Sequence, residues 1–289
     1  MNLMNLRPLL FGLLLPAPLV AAAPAPVAVV YSLNGTGAAM LAPGAREPKK
    51  LELFAWLLEG TAVAAPVNGS VLVSFQSGAR YELGPKSRAT LRANDLVTTS
   101  GDVKALPGVP PFPRIDPVAS GQGAQPALLR DAFGDETFPL AARVLAETAM
   151  LEWPAVKGAT RYRVTIDAED GRNIYQTETT TNSLRIPSSL LEAGARYTWR
   201  VGATPKTGMV TRGDAVLQVL PADVASARNT FQASLRREGG SDALALMAEV
   251  DRSLGLTVEA NQELREAVAL LPKEKRFISP LGQIQINPR

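Results

Sequence analysis

This chain lacks two residue types that many catalytic and metal sites need. Its 289 residues include no cysteine and no histidine. Thiol nucleophiles, disulfides, thiolate-bound metals and histidine-based acid–base or metal sites are therefore excluded. Carboxylates remain for acid–base catalysis, and the sequence contains no S-x-x-K, G-x-S-x-G or P-loop motif. We expect a non-enzymatic protein with no catalytic residue, no cofactor and no metal site.

The densest acidic cluster combines Asp167, Glu169 and Asp170. A calcium loop that begins at Asp167 would require an oxygen ligand at its fifth position, where this chain has Gly171. A hairpin turn over residues 169–171 accounts for the same residues, and we favour that interpretation. A hydrolase built from carboxylates distant in sequence is an alternative, which a group of raised-pKa carboxylates in a deep cleft would support.

Arginine provides the main candidate binding surface. Aromatic and aliphatic residues alternate with arginine over residues 161–166 and 196–201, which predicts strands with one buried face. The residues on the outer face are Arg161, Arg163, Arg196 and Arg200. Guanidinium groups bind carboxylates and phosphates through paired hydrogen bonds, so this face would suit an anionic polymer or an acidic partner. The alternative is an ordinary solvated face, balanced by Gln176 and Glu178.

The overall charge does not indicate a nucleic-acid partner. Lysine and arginine total 30 against 27 acidic residues, which gives a net charge of +3. No segment has the dense basic composition that neutralises a phosphate backbone.

Residues 1–23 have the layout of a secretory signal peptide. Arg7 precedes a short apolar run over 9–15, and small residues follow at 21–23. Repeated prolines argue against a membrane-spanning helix. We expect cleavage near Ala22 or Ala23, export to the periplasm or the extracellular space, and no membrane span in the mature chain. The oligomeric state stays open.

Residues 24–106 predict short strands separated by turns, including Asn34-Gly35 and Asn68-Gly69. Alternation around Val71, Val73 and Phe75 predicts strands buried on one side. Three segments, 59–63, 71–78 and 81–87, resemble a FecR-type domain. The resemblance implies an all-β module outside the cytoplasmic membrane. FecR-type regulators also transmit signals to a cytoplasmic anti-sigma segment, but here a signal peptide stands in that position.

Residues 107–147 are rich in proline and glycine and predict a linker. The following segment, 148–221, again alternates with period two and predicts a β-sandwich. It resembles a fibronectin type III domain, in which Leu191, Gly194 and Tyr197 would form a tyrosine corner. The same resemblance implies that the two arginine-bearing strands are neighbours in one sheet.

Residues 222–276 change to helical periodicity, and 277–289 predict a loose tail. Ser241 and Thr257 are predicted N-caps and Gly255 a helix stop. The segment 254–272 resembles one tetratricopeptide-type hairpin. The predicted fold is thus mainly β: a FecR-like all-β module, a fibronectin type III-like β-sandwich and a C-terminal α-helical hairpin. We expect an exported envelope protein that contacts another envelope protein or an envelope polymer, with a carbohydrate-binding accessory protein that recognises anionic glycan as the alternative.

Overall fold

The computed structural model describes residues 24–113, 141–205 and 211–271. The predicted signal peptide 1–23 and the predicted tail 277–289 lie outside these residues. The described chain is mainly β, with several antiparallel sheets followed by three helices, which confirms the predicted fold class.

Ten strands make up the first β unit, residues 26–106. They are β1 (Pro26–Leu33), β2 (Ala39–Leu41), β3 (Lys49–Lys50), β4 (Trp56–Leu58), β5 (Ala62–Ala64), β6 (Val71–Phe75), β7 (Arg80–Leu83), β8 (Arg88–Leu91), β9 (Leu96–Ser100) and β10 (Val103–Leu106). One five-stranded sheet has the order β10-β7-β6-β1-β4, and the other has the order β3-β2-β5-β8-β9. All of their pairings are antiparallel.

The expected one-sided burial is wrong for the centre of this unit. Val71, Val73 and Phe75 are fully buried in the core of the unit, as their alternation predicted. In β1, however, residues of both faces are buried, and Val29 and Tyr31 belong to a second core that includes the helices. Leu72 of β6 packs on the same second core. Strands covered on both sides lose the alternation of polar and apolar residues, because neither face contacts water.

Two Asn-Gly sequences lie side by side at one end of β1 and β6. The Asn34 amide donates a hydrogen bond to the Ser70 carbonyl (2.9 Å), and Gly35 has a positive φ of 87°. A β-carbon on Gly69 would lie 2.0 Å from the Asn34 carbonyl oxygen. Glycine is therefore required here by a close backbone approach as well as by turn conformation.

Seven strands make up the second β unit. They are β11 (Ala141–Val144), β12 (Met150–Glu152), β13 (Ala159–Ala168), β14 (Asn173–Thr179), β15 (Ser183–Arg185), β16 (Arg196–Pro205) and β17 (Thr211–Val219), with a single 3₁₀ turn at Ser188–Leu190. A five-stranded sheet of order β11-β17-β16-β13-β14 faces the two-stranded sheet β12-β15 across a shared core. Trp199, Leu151 and Ile186 are among the fully buried side chains of that core.

Both ends of the predicted 107–147 linker contribute to folded structure. Ala141–Val144 form β11, which pairs in parallel with β17. At the other end, the Val109 and Phe112 amides donate to carbonyls of residues 78 and 76, and both side chains are buried. Proline prevents a central strand, but it leaves the intervening apolar side chains free to pack. Residues 114–140 lie outside the described residues.

Three helices complete the described chain: α1 (Ala222–Glu238), α2 (Ser241–Leu254) and α3 (Thr257–Leu270). Gly255 ends α2, as predicted, and it does so in the left-handed conformation. The predicted caps Ser241 and Thr257 are instead the first residues of their helices, and neither helix has a side-chain cap hydrogen bond. Ser241 is buried, and Leu256, the N-cap residue of α3, is fully buried.

The helices contact both β units. Their core joins Phe231, Leu246 and Val250 to Tyr31 of the first β unit and Leu220, which follows the last strand of the second. The Phe112 ring lies edge-on to the Phe231 ring, with centroids 5.1 Å apart. The helices therefore form the physical connection between the two β units.

Replacement of Gly69 by alanine should destabilise the protein, because the new β-carbon would overlap the Asn34 carbonyl oxygen. We expect a loss of roughly 1–3 kcal/mol in the free energy of unfolding, typical of an overpacked site, measured by urea denaturation. Gly108→Ala is the control, since its β-carbon would meet nothing closer than 3.5 Å. Equal midpoints for the two variants would contradict the close approach.

Candidate functional site

The structure places the four predicted arginines on the outer face of the larger sheet of the second β unit. Their strand neighbours Tyr162, Val164, Trp199 and Val201 are buried in the sandwich core. The exposed residues are Arg161, Arg163, Arg196 and Arg200. The predicted orientation is thus confirmed, and a binding role for these residues stays a prediction.

The two arginine-bearing strands are neighbours, as the fibronectin-type resemblance implied. β13 and β16 pair antiparallel, with Thr165 opposite Arg200 and Arg163 opposite Gly202. The Tyr197 hydroxyl fixes the loop that precedes β16. The Glu192 amide donates to the Tyr197 hydroxyl (2.9 Å), which is the contact expected of the tyrosine corner.

Acidic side chains of the same sheet hold the guanidinium groups in place. Glu178 of β14 accepts hydrogen bonds from Arg161 (3.0 Å) and from Arg163 (2.8 Å). These bonds, to Arg163 first and then to Arg161, lower the pKa of the exposed Glu178 carboxyl below its ordinary value. Asp167 pairs with Arg200. Within the described residues, Arg196 makes no ion pair.

An open depression of about 400 Å³ lies on this face. It is lined by Arg163, Thr165, Arg200, Val201, Gly202, Thr204 and Asp214. The Arg163 and Arg200 side chains are 62% and 56% exposed, so their ion pairs are in contact with water. The Arg163–Glu178 pair, which is exposed on both sides, contributes about 0–1 kcal/mol, so an incoming anion can replace Glu178 at low cost. Asp167, the partner of Arg200, is only 10% exposed.

The acidic segment near residue 170 forms a hairpin turn, as predicted. β13 ends at Ala168, β14 begins at Asn173, and Gly171 between them has a φ of 84°. Asp170 binds the Arg172 side chain (2.6 Å), and Asp167 accepts a hydrogen bond from Asn173 (2.9 Å). Asp167 and Asp170 are therefore engaged by neighbouring side chains.

Sequence reasoning missed a group of ionisable residues within the helices. Asp251 and Glu263 are 0% and 2% exposed, and both contact side chains of α1. Glu249 accepts hydrogen bonds from Trp56 (2.6 Å) and Arg252 (2.7 Å), and burial raises its pKa. Asp251, Glu263 and Glu249 do not line the depression beside Arg163 and Arg200.

A second contact between helices and strands was also missed. Arg80 of β7 is 3% exposed and binds Glu238 at the end of α1 (2.8 Å). It also donates to the Pro107 carbonyl. An arginine within an alternating strand gives no signal of burial, because its partners lie 27 and 158 residues away in sequence.

Comparison with known proteins gives no family. No protein-family model matches the chain, and no curated protein matches it. Among solved structures, CopC from Methylosinus trichosporium OB3b is 15% identical with a TM-score of 0.23, over 29% of this chain and 86% of that one. A tetra-tandem repeat of a large adhesion protein is 16% identical with a TM-score of 0.21, over 68% of this chain and 42% of that one.

A third similar structure is the extracellular domain of a protein of B. thetaiotaomicron described as a one component system. It is 14% identical with a TM-score of 0.22, over 62% of this chain and 33% of that one. TM-scores of this size do not establish a shared fold. Within residues 24–113, 141–205 and 211–271, no helix has the length and apolar character needed to cross a membrane.

Tyr197→Phe tests whether the Tyr197 hydroxyl stabilises the sheet that carries the arginines. The variant leaves the Glu192 amide without its hydroxyl acceptor, and we expect a loss of about 1 kcal/mol in the free energy of unfolding. The exposed arginines are untouched, so the charge of the face is unchanged. Tyr175→Phe is the control, because Tyr175 is only half-buried and its hydroxyl has no hydrogen bond within the described residues. A Tyr197 variant as stable as the parent would contradict the tyrosine-corner role.

Proposed function

We propose that this chain is an exported, non-catalytic binding protein of the cell envelope, with a FecR-like module and a fibronectin type III-like module. It acts by contact with an envelope component and performs no reaction on it. The observation that carries this proposal is the depression on the outer sheet face, where Arg163 and Arg200 are both oriented and exposed. The four outer-face arginines, 161, 163, 196 and 200, are hereafter the basic face.

The chemistry of the basic face favours an anionic envelope polymer as its ligand. Its guanidinium groups are planar donors that fit carboxylate or phosphate groups bidentately. Thr165 and Thr204 in the depression add hydroxyl groups for a polyhydroxylated chain. An extended polymer also matches a sheet face that presents charges along two adjacent strands.

A protein partner with an acidic surface is the second candidate. The observation that favours it is the shared use of Glu178 by Arg161 and Arg163. One carboxylate between two guanidiniums leaves unused donors, which a partner carboxylate can occupy. Crosslinking from the basic face in intact envelopes would distinguish the two classes, since a protein partner gives a discrete adduct of defined mass.

Substitution of the four basic-face arginines by serine should weaken retention on immobilised anionic glycan. We expect a loss of at least about tenfold in affinity at low salt, because several charge-assisted hydrogen bonds are removed together. Retention of the parent should fall as the salt concentration rises.

The matched control removes the same charge from the first β unit, at Lys49, Lys50, Arg88 and Arg92, all of which are exposed. It should retain parental binding. Equal retention of the two quadruple variants would show that net charge alone governs binding, and would refute a site on the basic face.

Glu178→Gln should have the opposite effect on the same column. Loss of this carboxylate frees the Arg161 and Arg163 guanidiniums, so we expect tighter retention of anionic glycan at the same salt concentration. Glu152→Gln, on the smaller sheet of the same unit, changes the charge equally at another exposed position. Retention that rises equally in both variants, or falls in Glu178→Gln, would contradict a role for the oriented arginines.

A further inference from the structure

A buried polar cluster lies where the three helices meet. Arg228 and Gln232 come from α1, Asp251 from α2 and Glu263 from α3. Their exposed fractions are 7%, 6%, 0% and 2%. Charged groups are rarely this enclosed unless they are paired, so the arrangement of their partners decides what the cluster does.

Within the cluster, the Arg228 guanidinium binds a single carboxylate, that of Asp251. Arg228 donates through Nε to Asp251 Oδ1 (2.8 Å) and through Nη2 to Oδ2. The same Nη2 lies 3.9 Å from Glu263 Oε1, beyond hydrogen-bond distance. Gln232 bridges the two acidic side chains, since its Nε2 donates to Asp251 Oδ2 (2.9 Å) and to Glu263 Oε1 (2.8 Å).

The second carboxylate oxygen of Glu263 is Oε2. Among the described residues Oε2 is buried and accepts no hydrogen bond. Arg236 of α1 approaches only Oε1 (3.6 Å), is half exposed, and also faces Glu266. A second full negative charge here would lack a buried partner, whereas a protonated Glu263 can donate a hydrogen bond to the Asp251 carboxylate.

The pKa shifts of the buried carboxyl groups agree with this geometry. Burial first, and then the neighbouring Asp251 charge, raise the pKa of Glu263 to about 9. Burial likewise raises the pKa of Asp251, against the opposing effect of Arg228. Burial also raises the pKa of Glu259, one turn earlier on α3. The groups that face Glu263 are Asp251 from α2 and Arg228, Gln232 and Arg236 from α1.

The helix that carries Glu263 also contacts both β units. Leu264 and Val268 pack with Phe54, which precedes β4 of the first unit. Glu259 accepts a hydrogen bond from Thr148, which precedes β12 of the second unit (3.2 Å). The protonation state of Glu263 therefore bears on a helix that is joined to both units.

We propose that Asp251 and Glu263 form a proton-operated latch: one proton shared between their carboxyl groups holds α3 on α1 and α2, and its loss releases α3 from both β units. The folded protein keeps this proton where an unfolded glutamate would have lost it, between an ordinary pKa of 4.5 and about 9. The folded state binds the extra proton throughout that interval, so the stability of α3 is greatest below it and falls as pH rises across it.

Hydrogen exchange of the full chain tests the latch. Amide protection factors of α3, corrected for intrinsic exchange, should fall at least about tenfold between pH 6 and pH 9, because two or more pH units of the interval are crossed. Strands β13 and β16 should keep their protection and serve as the internal reference. Equal loss of protection in α3 and in these strands would overturn a local release of α3.

Glu263→Gln removes the titrating carboxyl group, and the new side-chain amide can still donate a hydrogen bond to Asp251. Its α3 protection should be nearly the same at the two pH values. Glu266→Gln, one turn along the same helix and 41% exposed, should keep the parental pH dependence. A Glu263→Gln variant with the parental pH dependence would refute the latch.

Carbon-13 NMR of the Glu263 carboxyl carbon in the unmutated chain provides a readout that needs no folded variant. A titration midpoint well above 4.5 supports the shared proton, and a midpoint near 4.5 rules it out.

Discussion

One apolar core joins the helices to both β units, and a chain without cysteine has no disulfide to do the same. Phe231 of α1 is fully buried in this core, next to Phe112, and Tyr31 and Leu220 contribute from the first β unit and from the end of the second. The burial of large apolar side chains stabilises by about 1.5–3 kcal/mol each. The arrangement of the β units therefore depends on the packing of the helices.

The helices differ from the sandwich in how they hold charge. On the sheet, Glu178 and its arginines are solvated, so their pairing is weak and exchangeable. Between the helices, Arg228, Asp251 and Glu263 are enclosed, and removal of either Arg228 or Asp251 would leave the other charge buried and uncompensated. The first arrangement suits reversible contact with an external anion. The second suits a switch that responds to protons, because one shared proton decides whether two carboxyls attract or repel.

Sequence patterns predicted the features that depend on local periodicity. Alternation places Tyr162 and Trp199 inside and the basic face outside, and Gly255 marks the end of α2 as a helix stop. Features that depend on distant partners were not predictable. Ala141–Val144 became a strand only because β17 offers a free edge. Asp251 and Glu263 are acidic residues, which usually lie on the exposed face of a helix. Nothing in the neighbouring sequence shows that α1 covers them.

We expect the helical core to make the two β units and the helices one cooperative structure. Pulse-labelled hydrogen exchange along a urea gradient, read in peptides from β1, β16 and α2, tests it most directly. A shared core predicts one common urea midpoint for all three segments, since loss of the helices exposes Tyr31 and Leu220 at once. A midpoint for β16 clearly separate from that of β1 and α2 would contradict the claim.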